Sequence, residues 1–464
     1  MCKRLLVCFV VLLLAGAQSF AANPVGIFDD TMDVGTAGNP RGIGIVQQLL
    51  GGGDNYRLTG GGSDVWDSQD HMLFAYKGLS GDWRMSADFA WQTAGDWWSK
   101  TGVMVRASTA AESAYWGTMI TNTLQGHNET VFQGRNSTWE GSWGNSTGQV
   151  GTPARLGIQR FDIGYANISI VESIADFGSG WQMLGNAVTM NLPQTAVYGA
   201  FLTSHNNDWM AQANVSNVSY QQNPAMFTKI TTVDNPGGNC MQQPGFMVRT
   251  IQRSPWATGS WGYDQMNELL STGSCGGELG YQDYPPGKRI EQLVNLFDND
   301  GGHGAFSADN GYPDHSFPGL HPEPWKTIPS GDPLYDNGVD NYATEVIACI
   351  QLTAGYHIIG ANSDDGTIIK IGGIEIGRTG EWKGDSTVDF LFKVLTAGLY
   401  TFEARMLEGG GGSSLELHEV LADGTRILLG DVDHGGSPVY VPEPATVALL
   451  GLGGMSLLGI RRKR

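Results

Sequence analysis

The chain has 464 residues, with 27 Lys+Arg against 46 Asp+Glu, a formal charge of −19 at pH 7 and 67 glycines. So acidic a body excludes nucleic acid and anionic lipid as principal partners, because phosphate recognition needs clustered Lys and Arg. Many glycines, 10% aromatic residues and little helical periodicity point instead to β-sandwiches joined by turns, at ~100–200 residues per domain.

The N-terminus reads Met1-Cys2-Lys3-Arg4, then an apolar run from Leu5 to Ala15, then small residues to Ala22. A basic start, a short apolar stretch and a small-residue end predict a secretory signal peptide over residues 1–22. The apolar run is too short for a membrane span. Cys8 lies inside that run, too early for lipid attachment.

From residue 23 to 222 the pattern predicts an antiparallel β-sandwich. In Trp83-Arg84-Met85-Ser86-Ala87-Asp88-Phe89 apolar and polar residues alternate, so one face is buried and the other wet. Further strands are expected at Gly102 to Arg106, Tyr115 to Ile120, Arg155 to Phe161, Ala166 to Val171 and Val197 to Thr203. Gly61-Gly62-Ser63-Asp64-Val65-Trp66, Phe74-Ala75-Tyr76 and the run from Trp97 to Arg106 resemble the concanavalin A-like lectin/glucanase fold, in its regulation-of-enolase-type (DUF1349-like) branch. The segments from Ala200 to Asn206 and from Asn214 to Val218 extend the likeness. It implies a jelly-roll and carries little chemistry.

Glycoside hydrolysis needs two carboxylates ~5–5.5 Å or ~6.5–9.5 Å apart. A jelly-roll builds them economically from acids at alternate strand positions, and no such run occurs; Glu172 and Asp176 lie too far apart along one strand. The expectation is a protein that is not an enzyme. Sugar can instead stack on exposed aromatic rings, with Trp91, Trp97, Trp98, Trp139 and Trp143 as candidates. Trp139 and Trp143 lie in a polar Gly/Ser/Asn loop and are the preferred pair. His127 and His205 read as polar loop residues.

Gln221-Gln222-Asn223-Pro224 reads as a linker to a second domain, residues 223–440. Of its cysteines, Cys240 and Cys275 lie in Gly-rich loops and are expected to pair, leaving Cys349 as a buried thiol in an apolar run. Ile290, Leu293, Val294 and Phe297 have helical spacing in a segment short enough to be a strand. Asp298-Asn299-Asp300-Gly301 lacks the distal Glu of an EF-hand and reads as a turn.

Two strands then flank Asn362-Ser363-Asp364-Asp365-Gly366. Adjacent carboxylates repel unless a cation or water separates them, and Ca²⁺ takes six to eight oxygens at ~2.3–2.6 Å. A solvated polar turn is the alternative. Ser363 to Thr367, the strand from Val394 to Arg405, the glycines at 409–412 and Leu415-Glu416-Leu417 resemble the PA14/GLEYA β-sandwich family. That resemblance implies that Asp364 and Asp365 hold a calcium ion which coordinates sugar hydroxyls. Asn362 and Asp385 are further candidate ligands.

The chain ends with Val441-Pro442-Glu443-Pro444-Ala445, an apolar segment to Ile460, and Arg461-Arg462-Lys463-Arg464. The apolar part spans roughly 24 Å as a helix, short of a ~30 Å hydrocarbon core. The tail can therefore pause in the membrane without anchoring there, its basic end cytoplasmic. The order Pro-Glu-Pro, apolar helix, basic cluster resembles the PEP-CTERM sorting signal, over residues 441–464. It implies processing by an exosortase-type peptidase near Pro442, Glu443 and Pro444. Together these features predict an all-β protein of two sandwiches, exported to the cell envelope or matrix and binding extracellular polysaccharide, with calcium as its cation. The alternatives are a structural or adhesion protein without a sugar site, and an accessory module of glycan degradation.

Overall fold

Strand Trp83–Thr93 sets the pattern of the first unit. Met85, Ala87, Phe89 and Trp91 point into one hydrophobic core, as the two-residue period of a pleated strand requires. The computed structural model describes residues 23–35, 44–50, 53–148, 153, 155–254, 256–280, 288–297, 304, 306–307, 311–318 and 340–443. The segment expected to be a signal peptide (residues 1–22), the expected Asp298–Gly301 turn, Pro444 and the apolar tail lie outside them. The chain divides into two compact units: residues up to Ile163 with Ile168–Phe227, and Gly164–Asn167 with Thr228 onward.

The first unit is a sandwich of two antiparallel sheets. One sheet has seven strands in the order Asp30–Val34, Met72–Ser80, Thr195–Thr203, Lys100–Arg106, Tyr115–Ile120, Thr130–Arg135 and Trp143–Ser146. The other runs Trp181–Met183, Ile168–Asp176, Arg155–Asp162, Trp83–Thr93, Ala211–Gln222, Tyr56–Gly60 and Ile45–Gln48, with Val188–Asn191 also paired to Ile168–Asp176. Side chains from both sheets share one core, Val103, Val105, Ala200 and Leu202 meeting Met85, Ile158 and Val171. Each fully buried aliphatic side chain contributes roughly 1.5–3 kcal/mol, so the shared core holds the sheets face to face.

The second unit repeats this plan with a separate core. One sheet orders Thr231–Val233, Ser386–Val394, Gly355–Asp364, Ser414–Val420 and Asn295–Phe297, with Arg426–Leu428 beside Ser414–Val420. The other orders Cys240–Pro244, Val439–Pro442, Tyr342–Leu352, Gly398–Glu408, Thr367–Ile371 and Ile374–Arg378, with Phe246–Gln252 also on Tyr342–Leu352 and Lys288–Glu291 beyond it. In strand Gly398–Glu408 the core takes Tyr400, Phe402, Ala404 and Met406. The stretch with helical spacing is two short strands, Lys288–Glu291 and Asn295–Phe297. Thr231–Val233 pairs in parallel with Ser386–Val394, an exception to the antiparallel plan.

Helix Tyr263–Thr272 packs Tyr263, Met266, Leu269 and Leu270 into a small core of the second unit and stops at Gly273 in the left-handed conformation. No helix among the described residues is long and apolar enough to cross a membrane.

The cysteine pairing differs from expectation. Cys240 is bonded to Cys349, with Cα atoms 6.2 Å apart, and Cys275 is the buried free thiol. The strands that carry the two cysteines belong to one sheet. Strand Val439–Pro442 lies between Cys240–Pro244 and Tyr342–Leu352, with Cys240 beside Pro442 and Cys349 beside Tyr440. Cys275 packs instead in the small core under the helix, with Trp261, Met266 and Leu269.

Candidate functional site

Strand Gly355–Asp364 belongs to one sheet of the second unit and Thr367–Ile371 to the other. The turn Asp364-Asp365-Gly366 therefore steps between sheets at one end of the sandwich. Its Asp364–Asp365 peptide bond is cis. A Cβ on Gly366 would lie 2.6 Å from Tyr263 Oη and 2.8 Å from Gly380 O, so only glycine allows this close approach. Leu407 N–H donates to Gly366 O at 2.8 Å, which sets the end of strand Gly398–Glu408 beside the turn.

That register delivers a third carboxylate. Asp364, Asp365 and Glu408 each offer an oxygen within 4.8 Å of the other two. Asp365 and Glu408 are buried and Asp364 is half-buried. Asp365 Oδ1 accepts from Lys383 N–H at 3.0 Å and Oδ2 from Gly409 N–H at 3.1 Å. Asp365 N–H donates to Glu408 Oε2 at 3.1 Å. Burial, then the neighbouring charge of Asp365, pushes the Asp364 carboxyl up to about 6 despite the Lys383 ammonium. Burial likewise raises Asp365, against the hydrogen bonds from Lys383 and Gly409 backbone.

The other two candidate ligands, Asn362 and Asp385, pair through their side chains beside the three carboxylates. Asn362 Nδ2 donates to Asp385 Oδ1. Asp385 also accepts from Ser414 Oγ at 2.8 Å and Gly304 N–H at 3.0 Å, and its own N–H reaches Asp364. Lys383 brings a charge of opposite sign into the same cluster. Its Nζ donates to Ser363 O, to Ser386 O at 3.0 Å and to Ser386 Oγ at 3.1 Å. Burial lowers the lysine, while Asp364, Asp385 and Asp365 hold it up.

The donor set fits a hard cation. All its atoms are carboxylate oxygens, and two ligands across a Ca²⁺ ion at ~2.4 Å are ~4.8 Å apart. Asp364, Asp365 and Glu408 are the side chains that would hold it. Glu408 carries no sequence signal toward this site, because it follows the turn by more than forty positions and joins it only through strand pairing.

The tryptophans separate into two kinds. Trp91 is buried, its Nε1–H donating to Thr121 O at 2.8 Å. Trp139 is 60% exposed, on a left-handed turn residue with φ 68°. Trp143 is 44% exposed on an edge strand, with its ring centroid 4.6 Å from that of Trp116. At the C-terminal end, Pro442 closes strand Val439–Pro442. Glu443 N–H donates to Asn239 O at 3.2 Å, and Asn239 Nδ2 donates to Glu443 Oε2 at 2.9 Å.

Residues 441–464 match the PEP-CTERM protein-sorting motif. The tail is a PEP-CTERM sorting signal. It marks the chain for exosortase processing and for export to the cell envelope or the extracellular space. No curated protein matches the chain. Among solved structures it is similar to a PA14 sugar-binding domain from an RTX adhesin, at 13% identity over 40% of this chain and 95% of that one, with a TM-score of 0.27. It is also similar to the PA14 domain of the MpAFP antifreeze protein, at 13% identity over 48% and 98%, TM-score 0.27. The epithelial adhesin 9 A domain of Candida glabrata, in complex with Galβ1-3GlcNAc, matches at 10% identity over 46% and 97%, TM-score 0.28.

Proposed function

We propose that the exported protein binds extracellular polysaccharide without turning it over, and that Asp364, Asp365 and Glu408 hold a calcium ion on which sugar hydroxyls are coordinated. The observation that carries this reading is the convergence of three carboxylate oxygens within 4.8 Å at the turn between the two sheets. A bound Ca²⁺ would keep coordination positions open to vicinal hydroxyls, since three carboxylates giving one oxygen each supply fewer than its usual six to eight. The sorting tail supports the setting, because it delivers the chain to the envelope or beyond it.

A glycan array run with and without a chelator tests the reading, paired with thermal melting in a calcium titration. Chelator-sensitive retention of a polysaccharide and a melting temperature that rises with calcium are the expected results. If Asp364→Ala changes neither retention nor the calcium response, the calcium-lectin reading fails. A second reading has its own support in Lys383, whose ammonium already supplies a positive charge to the same acids. In that case the turn is structural, and the protein serves adhesion or matrix architecture without a sugar site here.

A further inference from the structure

The seven-stranded sheet of the first unit has two working faces. Val103, Val105, Trp116 and Leu202 face the shared core. Met104, Tyr115, Met119 and Phe201 face outward and form a second apolar cluster with Val65 and Met72. Residues 61–71 cover part of this outer face, with Val65–Trp66 and Gln69–Asp70 paired as a short ribbon.

The cover is held by buried charge. Arg135 donates to both oxygens of Asp70, Nη1 at 2.9 Å and Nη2 at 2.6 Å, and Arg106 Nη1 reaches the same carboxylate. All three side chains are fully buried. Arg135 Nη2 also donates to Trp66 O at 3.1 Å, so Trp66 is fixed from its own backbone. Next to the cover a recess of about 380 Å³ opens, lined by Asp64, Trp66, Trp98, Lys100, Glu129 and Asn145 among others. That volume lies within the ~300–1,000 Å³ range of small-molecule sites.

The lining pairs exposed rings with fixed polar groups. Trp66 is 37% and Trp98 43% exposed. Trp98 stands edge-on to His127, with ring centroids 4.4 Å apart, and its backbone N–H donates to Asp96 Oδ1 at 2.9 Å. Lys100 Nζ lies 5.5 Å from the Trp66 ring centre and 2.7 Å from Asp64 Oδ1. Asp64 Oδ2 lies 3.3 Å from His205 Nε2, and Glu129 Oε1 3.3 Å from His127 Nε2. Each carboxylate is thus oriented by a partner while keeping lone pairs for a hydroxyl donor.

We propose that this recess is a carbohydrate subsite for a neutral pyranose, a second site that depends on neither the Asp364–Asp365 turn nor calcium. A pyranose presents an apolar C–H face, which an indole ring can cover, and a girdle of hydroxyls, which Asp64, Glu129 and Asn145 can receive. The charge balance selects against acidic sugars. Lys100 is committed to Asp64, and His205 is flanked by Asp64 and Asp96, so a uronate would meet the Glu129 carboxylate with no free cation among the lining residues. Held rings and held carboxylates also spare the ligand the cost of ordering them.

Intrinsic tryptophan fluorescence of the chain without its signal peptide and sorting tail, in EDTA, reads the site directly. Gluco-, galacto-, manno- and xylo-oligosaccharides serve as neutral probes and oligogalacturonate as the acidic one. A saturable response to at least one neutral series, with none to oligogalacturonate, is expected. Trp98→Ala and Glu129→Gln should each weaken it about tenfold or more without moving the melting temperature, and Trp98→Phe should retain it. The response should persist undiminished in EDTA, which separates this site from the calcium reading. No saturable neutral response, equal binding of oligogalacturonate, or wild-type affinity in both Trp98→Ala and Glu129→Gln overturns the assignment.

Discussion

Removing the Cys240–Cys349 bridge is expected to destabilise the second unit and leave the first unchanged. The bond joins residues 109 apart in sequence, and chain entropy assigns a loop of that length about 4–5 kcal/mol at 25 °C. Residual structure in the unfolded chain reduces this, so ~2–4 kcal/mol is the expected loss. Cys240→Ser is the cleaner perturbation, because Cys240 is half-buried whereas Cys349 is completely buried and its replacement would also disturb packing. Urea unfolding should show the second unit's midpoint lowered in Cys240→Ser and in reduced wild type alike, with no further loss when the variant is reduced. Thiol titration in denaturant should find one thiol, Cys275, in the oxidised chain lacking residues 1–22. Strand Val439–Pro442 lies between the bridged strands, so the variant should also be cut more readily by added protease near Pro442. A cross-link mapped to Cys240–Cys275, or an unchanged midpoint in Cys240→Ser, would refute the pairing and the loop calculation built on it.

At the three-carboxylate turn, Glu408→Gln should weaken calcium binding about tenfold or more in a chelator competition, whereas Lys383→Met should strengthen it by removing a competing positive charge; equal affinities in all three proteins would discard the cation site. Asp70→Asn leaves the Arg106 and Arg135 guanidiniums uncompensated in the interior, and breaking a buried pair in this way costs ~3–5 kcal/mol; a loss under ~1 kcal/mol in urea unfolding of the first unit would contradict the anchoring role given to Asp70. The hydrogen bond that His205 donates to Asp64, opposed by burial, raises His205 above its ordinary 6.5. Its stabilisation is therefore complete below pH 6.5 and is lost as pH rises through the higher folded value. Burial alone would raise Asp64, but His205 and Lys100 outweigh it and hold Asp64 below 3.8, so that contribution fades only in acid. Melting of the first unit from pH 5 to 9 should show a decline above pH 6.5 that flattens in His205→Gln; a decline of the same size in that variant counts against the His205–Asp64 pair.

What the sequence determined by itself was carried by short-range signals. Alternation along Trp83–Thr93 and Gly398–Glu408 decides which side chains face a core, because the pleat has a period of two whatever the partner strand. The sorting tail is legible for the same reason, as three adjacent segments in a set order, and Asp364-Asp365-Gly366 reads as a turn from its own residues. Tertiary structure decided everything that depends on strand order. It paired Cys240 with Cys349 across an intervening strand and put Cys275 under the helix, where no sequence spacing records the arrangement. It brought Glu408 and Lys383 to the Asp364–Asp365 turn, and turned Asn362 and Asp385 toward each other. It also separated Trp91, sealed in the core, from Trp98 at the rim of a recess, although both lie in the same stretch of chain. The recess itself joins residues from Asp64 to His205, and only the folding of one sheet face under its cover makes them neighbours.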